Sequence, residues 1–154
     1  MEAGHGPAVL LLHGFPQFWW TWRHQLTALA DAGYRAIAMD LRGYGGSDHT
    51  PHGYDPATLA ADIVGVVRSL GEEPACIVGH GWGGLGAWSV AVLQPSVVRG
   101  IVPVDGGAIH VAFGKAYDLT PLEVDGGKND HGGALHQGAD HACGLSPHSR
   151  RRPR

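Results

Sequence analysis

One stretch limits the folds open to this chain more than any other: Ala75-Cys-Ile-Val-Gly-His-Gly-Trp-Gly-Gly-Leu-Gly-Ala-Trp88. Its first half is a short apolar, β-branched run of the kind that forms a buried strand. Its second half continues as an apolar helical pattern that Pro95 closes. Strand, sharp turn and helix are the context of a nucleophile elbow, which holds a reactive side chain at the top of a parallel sheet. Such a turn needs glycine two residues before and two after the reactive position, because the strand and helix backbones pass close together. Gly79 and Gly83 meet that demand, with Gly84 following. The residue they frame should be Ser, Asp or Cys, and it is Gly81. The scaffold is legible, and the attacking atom is missing.

The rest of the chain arranges itself around this turn. Ala8-Val-Leu-Leu-Leu12 is a continuous apolar run, the pattern of a strand covered on both faces. His13-Gly-Phe-Pro16 ends it in a loop. Thr21 is placed to cap a helix whose buried face is Trp22, Leu26, Leu29 and Ala30, and Gly33 stands where a left-handed C-terminal residue is wanted. Arg35 to Met39 makes a second strand and runs into the turn-rich loop Asp40-Leu-Arg-Gly-Tyr-Gly-Gly-Ser-Asp48. Asp55-Pro56 opens another helix with an N-cap and a first-turn proline. Leu59, Ile63, Val66 and Leu70 mark its stripe, and Gly71 ends it. A fourth strand covers Val98 to Val104. Strands alternating with helices in this way predict an α/β fold with a doubly wound, mostly parallel sheet and flanking helices. Ligands bind such sheets at the carboxyl ends of the strands, where the His13 loop, the Asp40 loop and the elbow would gather.

After about Ala112 neither helical nor strand periodicity persists. The organisation is therefore a core over residues 1–112 and a low-order Gly/His/Arg-biased tail over residues 113–154, closing on Arg150-Arg-Arg-Pro-Arg154. The 154 residues, 44% hydrophobic and 16% charged, suit one globular domain. A formal charge of −3 gives no reason to expect nucleic acid or an anionic membrane as a partner. Two cysteines make no disulfide framework; Cys76 is expected as a buried thiol in a reduced, cytoplasmic protein. No signal peptide is visible, and the longest apolar run is far too short to span a bilayer.

Together these motifs identify a family by resemblance. The chain resembles the N-terminal half of an α/β-hydrolase, most closely the epoxide hydrolase and haloalkane dehalogenase branch. His13-Gly-Phe-Pro16, followed by Phe18-Trp-Trp and Trp22-Arg-His-Gln25, looks like that branch's oxyanion loop and first helix. Asp40 to Asp48 is similar to its second signature, and Gly79-His80-x-Trp82-Gly83-Gly84 to its elbow. Three motifs in order over roughly residues 8 to 105 make a specific match.

The resemblance implies roles. An Asp at position 81 would attack an epoxide or alkyl-halide carbon and form an ester that water hydrolyses; a Ser would make an esterase. Trp82, next in sequence, leans toward the Asp type. The backbone N–H groups of Phe15 and Trp82 would form the oxyanion hole. His13, Gly14, Pro16, Gly79, His80, Gly83 and Gly84 would be structural. A small apolar epoxide, halide or ester is the implied partner, and no cofactor is implied. The family's lid, acid and catalytic His lie further along than this sequence, so the expectation is a partial fold lacking the lid and C-terminal half. With Gly81 at the nucleophile position, that predicts an impaired or inactive copy. The alternatives are a non-catalytic binder of the same small molecules and a hydrolase with an unrecognised nucleophile.

Other candidate sites have plainer readings. His131, His136 and His141, with Asp130, Asp140 and Cys143, recur at a spacing of five that suits neither a helix face nor a zinc pattern, so no metal site is expected. The Trp19-Trp20-Trp22 cluster reads as core and cavity wall. The oligomeric state is not written in the sequence.

Overall fold

The computed structural model describes residues 1–71 and 74–104. The boundary expected at 112, the tail after it and the His131–Cys143 cluster lie outside the described residues. Within them, five strands form one sheet: β1 (Glu2–Ala3), β2 (Ala8–Leu12), β3 (Arg35–Met39), β4 (Ala75–His80) and β5 (Val98–Val104). Three helices join them: α1 (Arg23–Asp31), α2 (Pro56–Ser69) and α3 (Trp82–Leu93). The strand order is β1-β3-β2-β4-β5. All neighbours are parallel except β1, which pairs antiparallel with β3 through Glu2 opposite Ile37. The order runs outward in both directions from β2, so the ends of β2 and β4 flank the point where the winding reverses.

The apolar run of β2 is buried on both faces, as its composition predicts. Leu10 and Leu12 pack with Leu59, Ile63, Ile77 and Val90 on one side of the sheet. Val9 and Leu11 pack with Trp22, Leu26, Ala36 and Val78 on the other. Burying each such Leu contributes about 2 kcal/mol, which makes β2 the strand about which both cores form. Gly86 lets α3 lie close against α2: a Cβ there would meet Ile63 Cδ1 at 2.8 Å and Leu59 Cδ2 at 3.2 Å.

The boundaries of β2, β3, β4 and β5 fall where the sequence places them, and four details differ. Thr21 does not cap α1, because Trp19–Trp22 winds first as a 3₁₀ turn and the helix begins at Arg23. The C-terminus of α1 does close on Gly33, with φ 88°, as Gly33 N–H and Tyr34 N–H return to Ala30 and Leu29 oxygens. The buried stripe of α2 is Leu59, Ala60, Ile63, Val64 and Val67 rather than one ending on Val66 and Leu70, which are only partly buried. The helix meets sheet and α3 at once, so its covered arc is wider than a single-neighbour stripe. Asp55 does cap it, its carboxylate accepting from Ala57 and Thr58 N–H, with Pro56 next. Cys76 is buried as expected but is disulfide-bonded rather than a free thiol, which removes its support for a reduced compartment. Of the tryptophan cluster, Trp22 is core and Trp19 leans on it, while Trp20 is exposed beneath the Arg23 guanidinium. Among the described residues no helix is long and apolar enough to cross a membrane.

Candidate active site

The turn between β4 and α3 has the geometry of an elbow. Gly81 sits at φ 51° and ψ −112°, between the last strand residue and the first helical one. Its N–H donates to the Val104 carbonyl at the end of β5, and its carbonyl accepts Leu85 N–H as the first bond of α3. The two flanking glycines are sterically required. A Cβ on Gly79 would collide with the Gly83 carbonyl oxygen and lie 2.6 Å from Gly84 N, and one on Gly83 would collide with the Leu12 carbonyl oxygen and lie 2.6 Å from that of His13. At Gly81 itself a Cβ would meet only Gly14 Cα, at an ordinary 3.7 Å. The turn has room for a side chain and presents none.

The 13–17 loop borders this space. Gly14 lies against Gly81 and His80, and a Cβ on it would press to 2.6 Å from His80 Nδ1, so a side chain there would require the imidazole to shift. The Phe15–Pro16 bond is cis. Phe15 is 74% exposed and sets its ring edge-on to Tyr44 at 6.5 Å between centroids. His13, by contrast, is 0% exposed. Its Nδ1 donates to the Gly14 carbonyl at 2.9 Å and its Nε2 accepts Leu41 N–H at 3.0 Å. A carbonyl can only accept and an amide can only donate, so the partners fix His13 as the neutral Nδ1–H tautomer. Burial lowers its pKa from the ordinary 6.5, outweighing the bond to Gly14 and the charge of Asp40, both of which raise it.

Two residues connect the loops, Gln17 and Asp40, and of these only Asp40 stands in a motif legible in the sequence. Gln17 Oε1 accepts Gly14 N–H at 3.1 Å and His80 Nδ1–H at 3.2 Å, tying the 13–17 loop to the end of β4. His80 is thereby joined to the loop through Gln17. Asp40 accepts Trp19 N–H at 2.6 Å and Gly46 N–H at 2.8 Å, and its own carbonyl takes the Ser47 hydroxyl at 2.7 Å. It knots the aromatic 3₁₀ turn to the 40–48 loop. Beside that loop, Arg42 pairs with both oxygens of Asp62 at 2.7 Å. The guanidinium's pKa is raised by this bond. Among the described residues no group of three or more His, Cys, Asp or Glu side chains is placed to hold a metal.

With this geometry in hand, the comparisons with known proteins give one answer. Residues 7–134 match the family described as the alpha/beta hydrolase fold, and the chain belongs to that family. Its branch is the epoxide-hydrolase-like one. The chain is 48% identical over 103 residues to epoxide hydrolase 3 of Siraitia grosvenorii, covering 66% of this chain and 33% of the relative. To epoxide hydrolase B of Mycobacterium tuberculosis it is 50% identical over 101 residues, covering 64% of this chain and 28% of the relative. An epoxide hydrolase structure from an endophytic Streptomyces superposes with a TM-score of 0.65 at 50% identity, over 66% of this chain and 31% of that one. The chain thus spans about a third of the length of the relatives it matches.

Proposed function

We propose that this chain is an epoxide-hydrolase-like α/β-hydrolase whose elbow carries no nucleophile, so that it does not form the covalent ester by which the branch works. One observation carries the reading: Gly81 keeps a left-handed backbone with space for a Cβ, yet has no side chain to attack. The Phe15 and Trp82 N–H groups would still form an oxyanion hole. Trp82 opens α3, where an N–H has no acceptor within the helix. Loss of an attacking group costs on the order of 10⁴-fold or more in turnover, leaving the residual effect of binding and oxyanion donors. The molecules this crevice would take are small apolar epoxides, halides or esters. The exposed Phe15 ring over the loop favours a second reading on the same site, in which such a molecule is bound without turnover.

Intact-mass measurement after incubation with a small aryl epoxide, alongside diol assay, tests the proposal. Unmodified chain should show no adduct and no diol above the uncatalysed rate. Gly81→Asp should gain the mass of one epoxide, located at residue 81 by peptide mapping. Sustained diol formation by homogeneous unmodified protein, lost on substitution around the elbow, would point instead to an unrecognised nucleophile.

A further inference from the structure

We propose that His13 is an acid-released latch: protonating its imidazole unfastens the 13–17 loop from the 40–48 loop and loosens the donor side of the elbow crevice. The bond at stake joins two segments far apart in sequence, for His13 follows β2 and Leu41 follows β3. Only the neutral ring can make it. A proton on Nε2 would set that new N–H against Leu41 N–H across 3.0 Å, two donors facing each other with no acceptor between. The ring is 0% exposed, so water cannot replace the lost partner while the loop stays closed. Relief requires the loop to move, and the loop carries Phe15.

The surroundings do not offset a buried cation. From the 40–48 loop come Asp40 and Tyr44. The Asp40 carboxylate is committed to Trp19 and Gly46 N–H, and Tyr44 meets the imidazole edge-on at 5.1 Å between centroids. From the end of β4 comes His80, against Gly14 and hydrogen-bonded to Gln17. The first turn of α3 has no acidic or basic side chain. Burial outweighs the attraction of Asp40, so His13 resists protonation in the closed loop and accepts it readily in an open one. Acid therefore favours the open form. This holds whether or not position 81 ever carried a nucleophile, so its failure would leave the reading of Gly81 intact.

Nuclear magnetic resonance on the uniformly ¹⁵N-labelled full chain, titrated from pH 8 to pH 4, tests it. Long-range imidazole correlations report the tautomer and charge of His13, and amide exchange, corrected for its intrinsic pH dependence, reports the Leu41 bond. At pH 8 the Nδ1–H tautomer and a protected Leu41 amide are expected. As His13 takes up its proton, Leu41 should exchange at least tenfold faster, while Ile77 in β4 stays protected. His13→Gln supplies a non-titrating acceptor and should hold Leu41 protection level over the same range. Should that variant not fold, the unmodified chain decides alone. Three outcomes would overturn the latch: His13 charging with Leu41 still protected, Leu41 released while His13 is neutral, or Leu41 and Ile77 lost together.

Discussion

At Gly83 a Cβ would be driven into the carbonyls of Leu12 and His13, and at Gly79 into the Gly83 carbonyl. At Gly81, two residues from each, it would meet one Cα at van der Waals distance. Three glycines in one turn thus answer to different demands. The outer pair are there because β4, α3 and the end of β2 approach closer than any side chain allows. The middle one is permitted by its φ of 51° but not required by its space. Family scaffolds hold a reactive residue in that left-handed backbone at a cost the surrounding turn imposes. Here the turn imposes the same backbone on a residue that bears it freely.

That contrast can be broken by substitution, and the largest effect should come from the outer pair. Gly83→Ala should lower stability by about 3 kcal/mol or more, since the clash is with backbone that cannot rotate aside. Urea unfolding followed by tryptophan fluorescence measures it, and a change below 1 kcal/mol would show that the turn relaxes. Gly79→Ala should follow closely for the same reason. Gly81→Ala should cost only about 1–2 kcal/mol, the left-handed penalty of a Cβ without a clash. A loss equal to that at Gly83 would contradict the difference between the positions.

A smaller effect should come from pH. In the unfolded chain His13 takes up its proton near 6.5, and in the folded chain only at a lower value. Its contribution is therefore full above about pH 6.5 and is lost as pH falls from there through the folded pKa. The urea midpoint should fall over that interval, and His13→Gln should flatten the fall. Remote from the elbow, Asp55→Ala should cost about 1 kcal/mol through loss of the α2 cap, setting the scale of an ordinary scaffold change. Thermal or urea midpoints read it directly.

Much of this molecule could be read before folding. The apolar run Ala8–Leu12, the Asp55-Pro56 cap and the glycine spacing at 79 and 83 each satisfy a local rule, and each appears where the rule puts it. The three motifs also sufficed for the family, because an elbow needs its glycines close in sequence. Other features escaped because their causes are not local. The strand β1 is two residues long and exists only because β3 offers it an edge. The wide buried arc of α2 follows from two neighbours rather than one. Gln17 gains its meaning from Gly14 and from His80, 63 residues away, and no spacing rule links those positions.

The sequence by itself determined β2 to β5, the α2 cap and the glycine-framed turn, since these depend on residue type and near neighbours. Only the tertiary structure decided which atoms a Cβ would strike at Gly79 and Gly83, which tautomer His13 holds and how the two loops are fastened. Those properties arise where β2, β3, β4 and α3 converge, and a close approach between distant segments is a fact of packing that no single segment contains.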